Sequence, residues 1–89
     1  MNLEITQANN FFKVKGALHR RNVHVFTKEF QHVFERANAI TVSIENLISI
    51  DRHGIKAIAQ LNDEALSKNK RLSIIGSGPS SLYHHFKTV

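Results

Sequence analysis

Two short runs hold the functional groups best able to do chemistry here: His19-Arg20-Arg21 and Asp51-Arg52-His53-Gly54. Guanidinium groups present fixed forks of donors that suit carboxylates and phosphates. Imidazoles titrate near neutrality and can join them as cations. The chemistry they suggest is recognition of an acidic group. The other sets are weaker. The chain has six His, but a metal such as zinc needs three or four converging ligands. His24 and His32 lie eight apart, His84 and His85 are adjacent, and Glu29 with His32 lacks a third ligand, so these read as surface histidines. Gly76-Ser77-Gly78 offers backbone N–H groups to a phosphate, yet the run is too short for a nucleotide fingerprint and reads as a turn. There is no Cys, no Ser in a nucleophile elbow and no evident pair of carboxylates. A nucleophile with its base and orienting group is therefore not in view. The expectation is a non-enzymatic protein with no cofactor and no metal.

The elements that must position these groups follow from periodicity. Residues 3–7 alternate apolar and polar, Asn9-Asn10 signals a turn, and residues 12–15 alternate again, which predicts a β-hairpin. Residues 16–22 read as a polar loop ending in Asn22, a plausible N-cap. Val23, Phe26, Phe30, Val33, Phe34 and Ala37 recur at three- and four-residue spacing, predicting one amphipathic helix stopped at Asn38. Residues 40–45 alternate as a third strand. The segment 47–51 leads into a second helix over 52–68, with Asp51 as N-cap and Asn69 just past its end. Residues 71–75 form a fourth strand, and Pro79 suits the start of a third helix carrying Leu82, Phe86 and Val89 on one face.

The order is ββαβαβα: a small α/β domain with a four-stranded mixed sheet. Strands two to four should be parallel, because helices separate them. Strands two and three place Lys13, Lys15, Thr41, Ser43 and Glu45 at alternate positions, whereas parallel strands covered on both faces are apolar throughout. The main helices should therefore cover one sheet face and leave the other open.

Composition bounds the rest. At 89 residues, with 42% hydrophobic and 21% charged, residues 1–89 make one domain and one core. The absence of cysteine, of a signal-like N-terminus and of a bilayer-length apolar run leads to the expectation of a cytoplasmic protein without membrane insertion. A net charge of +5 favours acidic partners. No basic recognition helix or aromatic stacking platform argues for nucleic acid. In a parallel sheet the loops after strands two and three emerge at the same end, where α/β folds place their sites. His19, Arg20, Arg21, Arg52 and His53 should thus meet there. Arg52 also opposes the dipole at a helix N-terminus, at a cost of about 0.3–1 kcal/mol, and breaches of a local rule mark functional positions.

Val14-Lys15-Gly16-Ala17-Leu18, the helix after it, Ile40-Thr41-Val42-Ser43-Ile44-Glu45, and Ile50-Asp51-Arg52-His53-Gly54-Ile55 together resemble a STAS domain, the module shared by sulfate transporters and anti-sigma-factor antagonists. The resemblance runs from about residue 11 to 86 and is most specific in its strand, Asp-x-x-Gly, apolar-helix block. The later Asn69-Lys70-Arg71-Leu72-Ser73-Ile74 also resembles the turn into that family's last strand, with Asn69 where Gly is usual. The resemblance implies a small sheet with helices and a partner protein. In the antagonists the residue after the Asp is a Ser or Thr phosphorylated by a kinase that is itself the anti-sigma factor. Here that position is Arg52, followed by His53, and His19 stands where many members carry Asp. Ser49 is the nearest substitute acceptor. The expectation is a non-phosphorylatable protein-binding module, with Asp51, Arg52, His53 and Gly54 at the switch position and His19, Arg20 and Arg21 in a basic loop. Its partner would be a kinase-type anti-sigma factor or related ATPase. The alternatives are an accessory subunit of a phospholipid-type transport ATPase, or a module binding an anion or nucleotide.

Overall fold

In the computed structural model, which describes residues 2–79, eight elements follow one another. They are β1 (Leu3–Ala8), β2 (Phe11–Leu18), α1 (Val23–Phe30), α2 (Val33–Arg36), β3 (Ala39–Ser43), β4 (Leu47–Ile50), α3 (Arg52–Ser67) and β5 (Arg71–Ile75). The expected third helix from Pro79 onward lies outside the described residues.

β1 and β2 form the expected antiparallel hairpin, closed by Asn9-Asn10 with Ala8 opposite Phe11. Asn9 takes a positive φ of 56°, which Asn tolerates better than most residues. β2 pairs in parallel with β3, and β3 with β5, as the alternation of strands and helices requires.

The sheet has five strands rather than four. Residues 47–50, expected to be a lead-in to the helix, form β4, which pairs in parallel with β2 at Gly16–Leu47, Ala17–Ser49 and Leu18–Ile50. β3 holds Phe11 to Lys13 of the same strand. The two short strands therefore lie against successive stretches of β2, with residues 44–46 breaking the run between them. Ile48 is the extra residue where the register shifts, a β-bulge. This pairing also corrects the end of β2. Residues 16–18 belong to the strand and not to a loop, because β4 supplies their partners. Gly16 has φ +98°, and a Cβ there would lie 1.9 Å from the Asn2 carbonyl oxygen.

One apolar cluster lies between the sheet and the helices. Phe12, Val14, Ile40 and Val42 meet Phe26, Phe30, Phe34, Ile58 and Leu61. The Phe30 ring lies 4.7 Å from that of Phe12 and 4.6 Å from that of Phe26, in tilted contact. Lys13 and Lys15, which alternate with the buried Phe12 and Val14, point to the other sheet face and are exposed. The main helices thus share one face, as expected, but Ser43, expected on the open face beside Lys13, is buried.

The first helix is not continuous. It breaks at Gln31-His32, where His32 adopts a left-handed conformation with φ 62° and ψ 17°. The apolar spacing hides the break, since Val33 and Phe34 are buried on either reading. The expected left-handed stop at Asn38 is not seen: Ala37 ends α2 in an extended conformation, and the positive φ belongs to His32. A β-carbon in this region costs about 1 kcal/mol, and the exposed contact of His32 with Glu35 returns little. His32→Gly should therefore raise stability by about 0.5–1 kcal/mol in a denaturant titration, and a loss would show that His32 has a further role in the bend.

α3 ends as the sequence indicates. Asn69 takes φ 56°, its N–H donates to the Leu66 carbonyl, and the Lys70 N–H donates to that of Ala65 at 2.7 Å. This is the double closure of a Schellman motif.

Candidate functional site at the basic end

The C-terminal ends of β2 and β4 deliver the two basic runs to one place, and the joint between them is Asp51. Its side chain caps α3: Oδ1 accepts from the N–H groups of His53 at 2.9 Å and Gly54 at 3.1 Å. The second oxygen, Oδ2, accepts from the Arg20 N–H at 2.9 Å, across 31 residues of chain. One carboxylate thus satisfies two of the N–H groups left over at a helix start and fastens the loop after β2 to it. Burial pushes the Asp51 carboxyl pKa up. The N–H groups of Arg20, Gly54 and His53, with the nearby His53 ring, outweigh that and hold it below the usual value.

Three further contacts make the two loops one body. The Asp51 N–H donates to the Leu18 carbonyl at 3.2 Å. His19 Nε2 lies 2.7 Å from Ser49 Oγ in a half-buried hydrogen bond. Gly54 packs so closely on the end of β2 that a Cβ would come within 2.6 Å of the Leu18 carbonyl oxygen. Asn22 stiffens the loop from within. It occupies the N-cap position of α1, as expected, but its side chain makes no capping bond. Instead Oδ1 accepts from the His19 N–H and Nδ2 donates to the Ala17 carbonyl, each at 2.9 Å.

The residues of the two basic runs, His19, Arg20, Arg21, Asp51, Arg52, His53 and Gly54, all fall on this end. Arg20, Arg21 and Arg52 are exposed, His19, Asp51 and His53 are half-buried, and Gly54 is buried. The expected meeting of five basic or titratable side chains is thus a meeting of the loops that carry them. Asp51 keeps its negative charge there, with both oxygens accepting backbone N–H groups. Among the described residues the only salt bridges are His32–Glu35 and Lys68–Glu64, neither of which involves these arginines. Arg52 stands at the first position of α3, with no acidic residue in the first turn. The arrangement suits capture of carboxylate or phosphate groups by arginine forks.

Two features here have no signal in the sequence. Ser49, which the sequence offers only as a substitute acceptor, bonds to His19 across 30 residues. Ile48 is an apolar side chain left 66% exposed by the bulge. Period-two alternation fails at a bulge, so nothing in the sequence flags it.

The remaining clusters lie elsewhere or do not converge. Gly76 packs with its Cβ position 2.7 Å from the Glu45 backbone N, a tight turn beside an acidic residue. His24 and His32 line an open groove of about 730 Å³ between α1 and α3, with Phe26, Phe30 and Leu61. Among the described residues no three His, Cys, Asp or Glu side chains gather as metal ligands, and no helix is long and apolar enough to cross a membrane. His84 and His85 lie outside the described residues. No protein-family model matches this chain, and no curated protein matches it in sequence.

Proposed function

We propose that this chain is a STAS-like regulatory domain that works by binding another protein through its basic end and performs no chemistry itself. The observation that carries the reading is the Asp51 tie, which joins the loop of Arg20 and Arg21 to the start of α3, where Arg52 stands, at the C-terminal ends of β2 and β4. Preordered loops lose little conformational entropy on docking. The STAS-like reading draws support from the strand–Asp–helix arrangement with Gly54 in close contact, and from the helices packed over one face of a mixed sheet. The partner is a kinase-type anti-sigma factor or a related ATPase. Arg52 and His53 carry no hydroxyl at the switch position, so docking there is constitutive. The same absence suits a second reading, an accessory subunit of a phospholipid-type transport ATPase, which needs no phosphorylation.

Affinity purification from the native cell, with wild-type and Arg52→Glu baits, tests this. The wild type should recover a kinase-like ATPase that the variant loses. The variant itself should be more stable by about 0.5–1 kcal/mol, because a carboxylate suits a helix N-terminus. Lost binding with raised stability separates a docking defect from a folding defect. A partner retained by Arg52→Glu would move the docking surface elsewhere, and recovery of transporter subunits would select the second reading.

A further inference from the structure

We infer that Ile48 is the apolar anchor of this docking surface, and that it inserts into an apolar pocket edged by Asp or Glu side chains on a partner protein. This rests on the basic end being the docking surface. Ile48 is the extra residue of the bulge in β4, and it is 66% exposed. Its neighbours are fixed. Ser49, next in the chain, is bonded to His19, and Arg20, next after His19, donates its N–H to Asp51. An exposed isoleucine on a bulge, one residue from the Ser49–His19 bond and in the strand that runs into Asp51 and Arg52, joins an apolar side chain to the arginine-bearing loops, a pairing enriched at protein interfaces.

Charge selects the partner's chemistry. Arg20, Arg21 and Arg52 form no salt bridge among the described residues, and both Asp51 oxygens are already engaged. The complementary surface therefore supplies carboxylates around an apolar recess. Nucleic acid fits less well. Phe11 and Phe12, the aromatic residues of β2, are at the end of that strand opposite to Arg20 and Arg21.

The test is Ile48→p-benzoylphenylalanine in the full chain, irradiated in the native cell, with mass spectrometry of the adducts. The adduct is expected on a protein segment with Asp or Glu within a few residues of the attachment point. Its yield should fall roughly tenfold or more when Arg20→Glu and Arg52→Glu are added. The same photoreactive group at the exposed Leu66, on α3, should not give it. Ile48→Asp should weaken binding of the captured protein by about tenfold or more, and Ile48→Leu much less, with unchanged melting temperatures excluding misfolding. An adduct on nucleic acid or lipid, an adduct on a segment without carboxylates, or no adduct would each overturn the inference. If Arg52→Glu still abolishes capture of a partner while Ile48 gives no adduct, the inference fails and the basic-end docking reading stands.

Discussion

Gly54→Ala is expected to lower the melting temperature by roughly 8–16 °C, a loss of about 2 kcal/mol in a domain of this size. Considered only as a helix residue, alanine should be better than glycine by about 1 kcal/mol. The surroundings reverse the sign. The new methyl would lie 2.6 Å from the Leu18 carbonyl oxygen, 2.7 Å from Ile50 Cγ1 and 2.8 Å from Leu18 Cγ. The side-chain atoms can give way, but the carbonyl cannot without moving the end of β2, because it also accepts the Asp51 N–H. Adding Leu18→Ala to Gly54→Ala should therefore bring no recovery. A Gly54→Ala variant that melts at or above the wild-type temperature would mean that α3 is free to move off β2, and the basic end would no longer count as rigid.

Asp51→Ala should cost about 2 kcal/mol, at the upper end of the range for loss of an N-cap, because the tie to Arg20 goes with the cap. Asp51→Asn keeps an acceptor oxygen and should cost less. The two variants differ in charge, and pH separates them. The folded-state pKa of Asp51 is lowered, below an unfolded value of about 3.9. Its charge-dependent stabilisation is therefore complete above that value and disappears as the pH falls through the lower folded one. Denaturant titrations over the acid range should show the gap between wild type and Asp51→Asn closing as the pH drops. A gap that stayed constant would show that geometry alone, without charge, holds the two loops together.

The sequence made the local devices legible and the long-range ones illegible, for physical reasons. Asp51 as a cap and Asn69 as a left-handed terminator are signalled by neighbours within four residues, and both are seen. The stripe through Val23, Phe26, Phe30, Val33 and Phe34 located the helical segment. It concealed the break at His32, because a kink that preserves three- and four-residue spacing leaves the pattern unchanged. β4 was missed because Leu47-Ile48-Ser49-Ile50 is four residues long and bulged, so it neither alternates nor stands out by length. Missing β4 made Gly16 look like the start of a loop. The basic end was legible in outline, since parallel strands send their following loops to one side. What makes it a surface was not: Arg20 to Asp51 and His19 to Ser49 connect residues 31 and 30 apart, and no local pattern encodes them.

Those same separations bear on when the surface comes into being. The β1–β2 hairpin and the turns of α1 close through short loops, whereas the Asp51 tie closes about thirty residues of chain, whose entropic cost is met only once the intervening helices and β3 are in place. Asp51 can cap α3 early, but it fastens Arg20 late. The basic end is thus a product of completed folding, present in the native chain and lacking in a half-folded one. A partner docking there, as proposed, would discriminate between finished and unfinished copies of the domain without a separate recognition step.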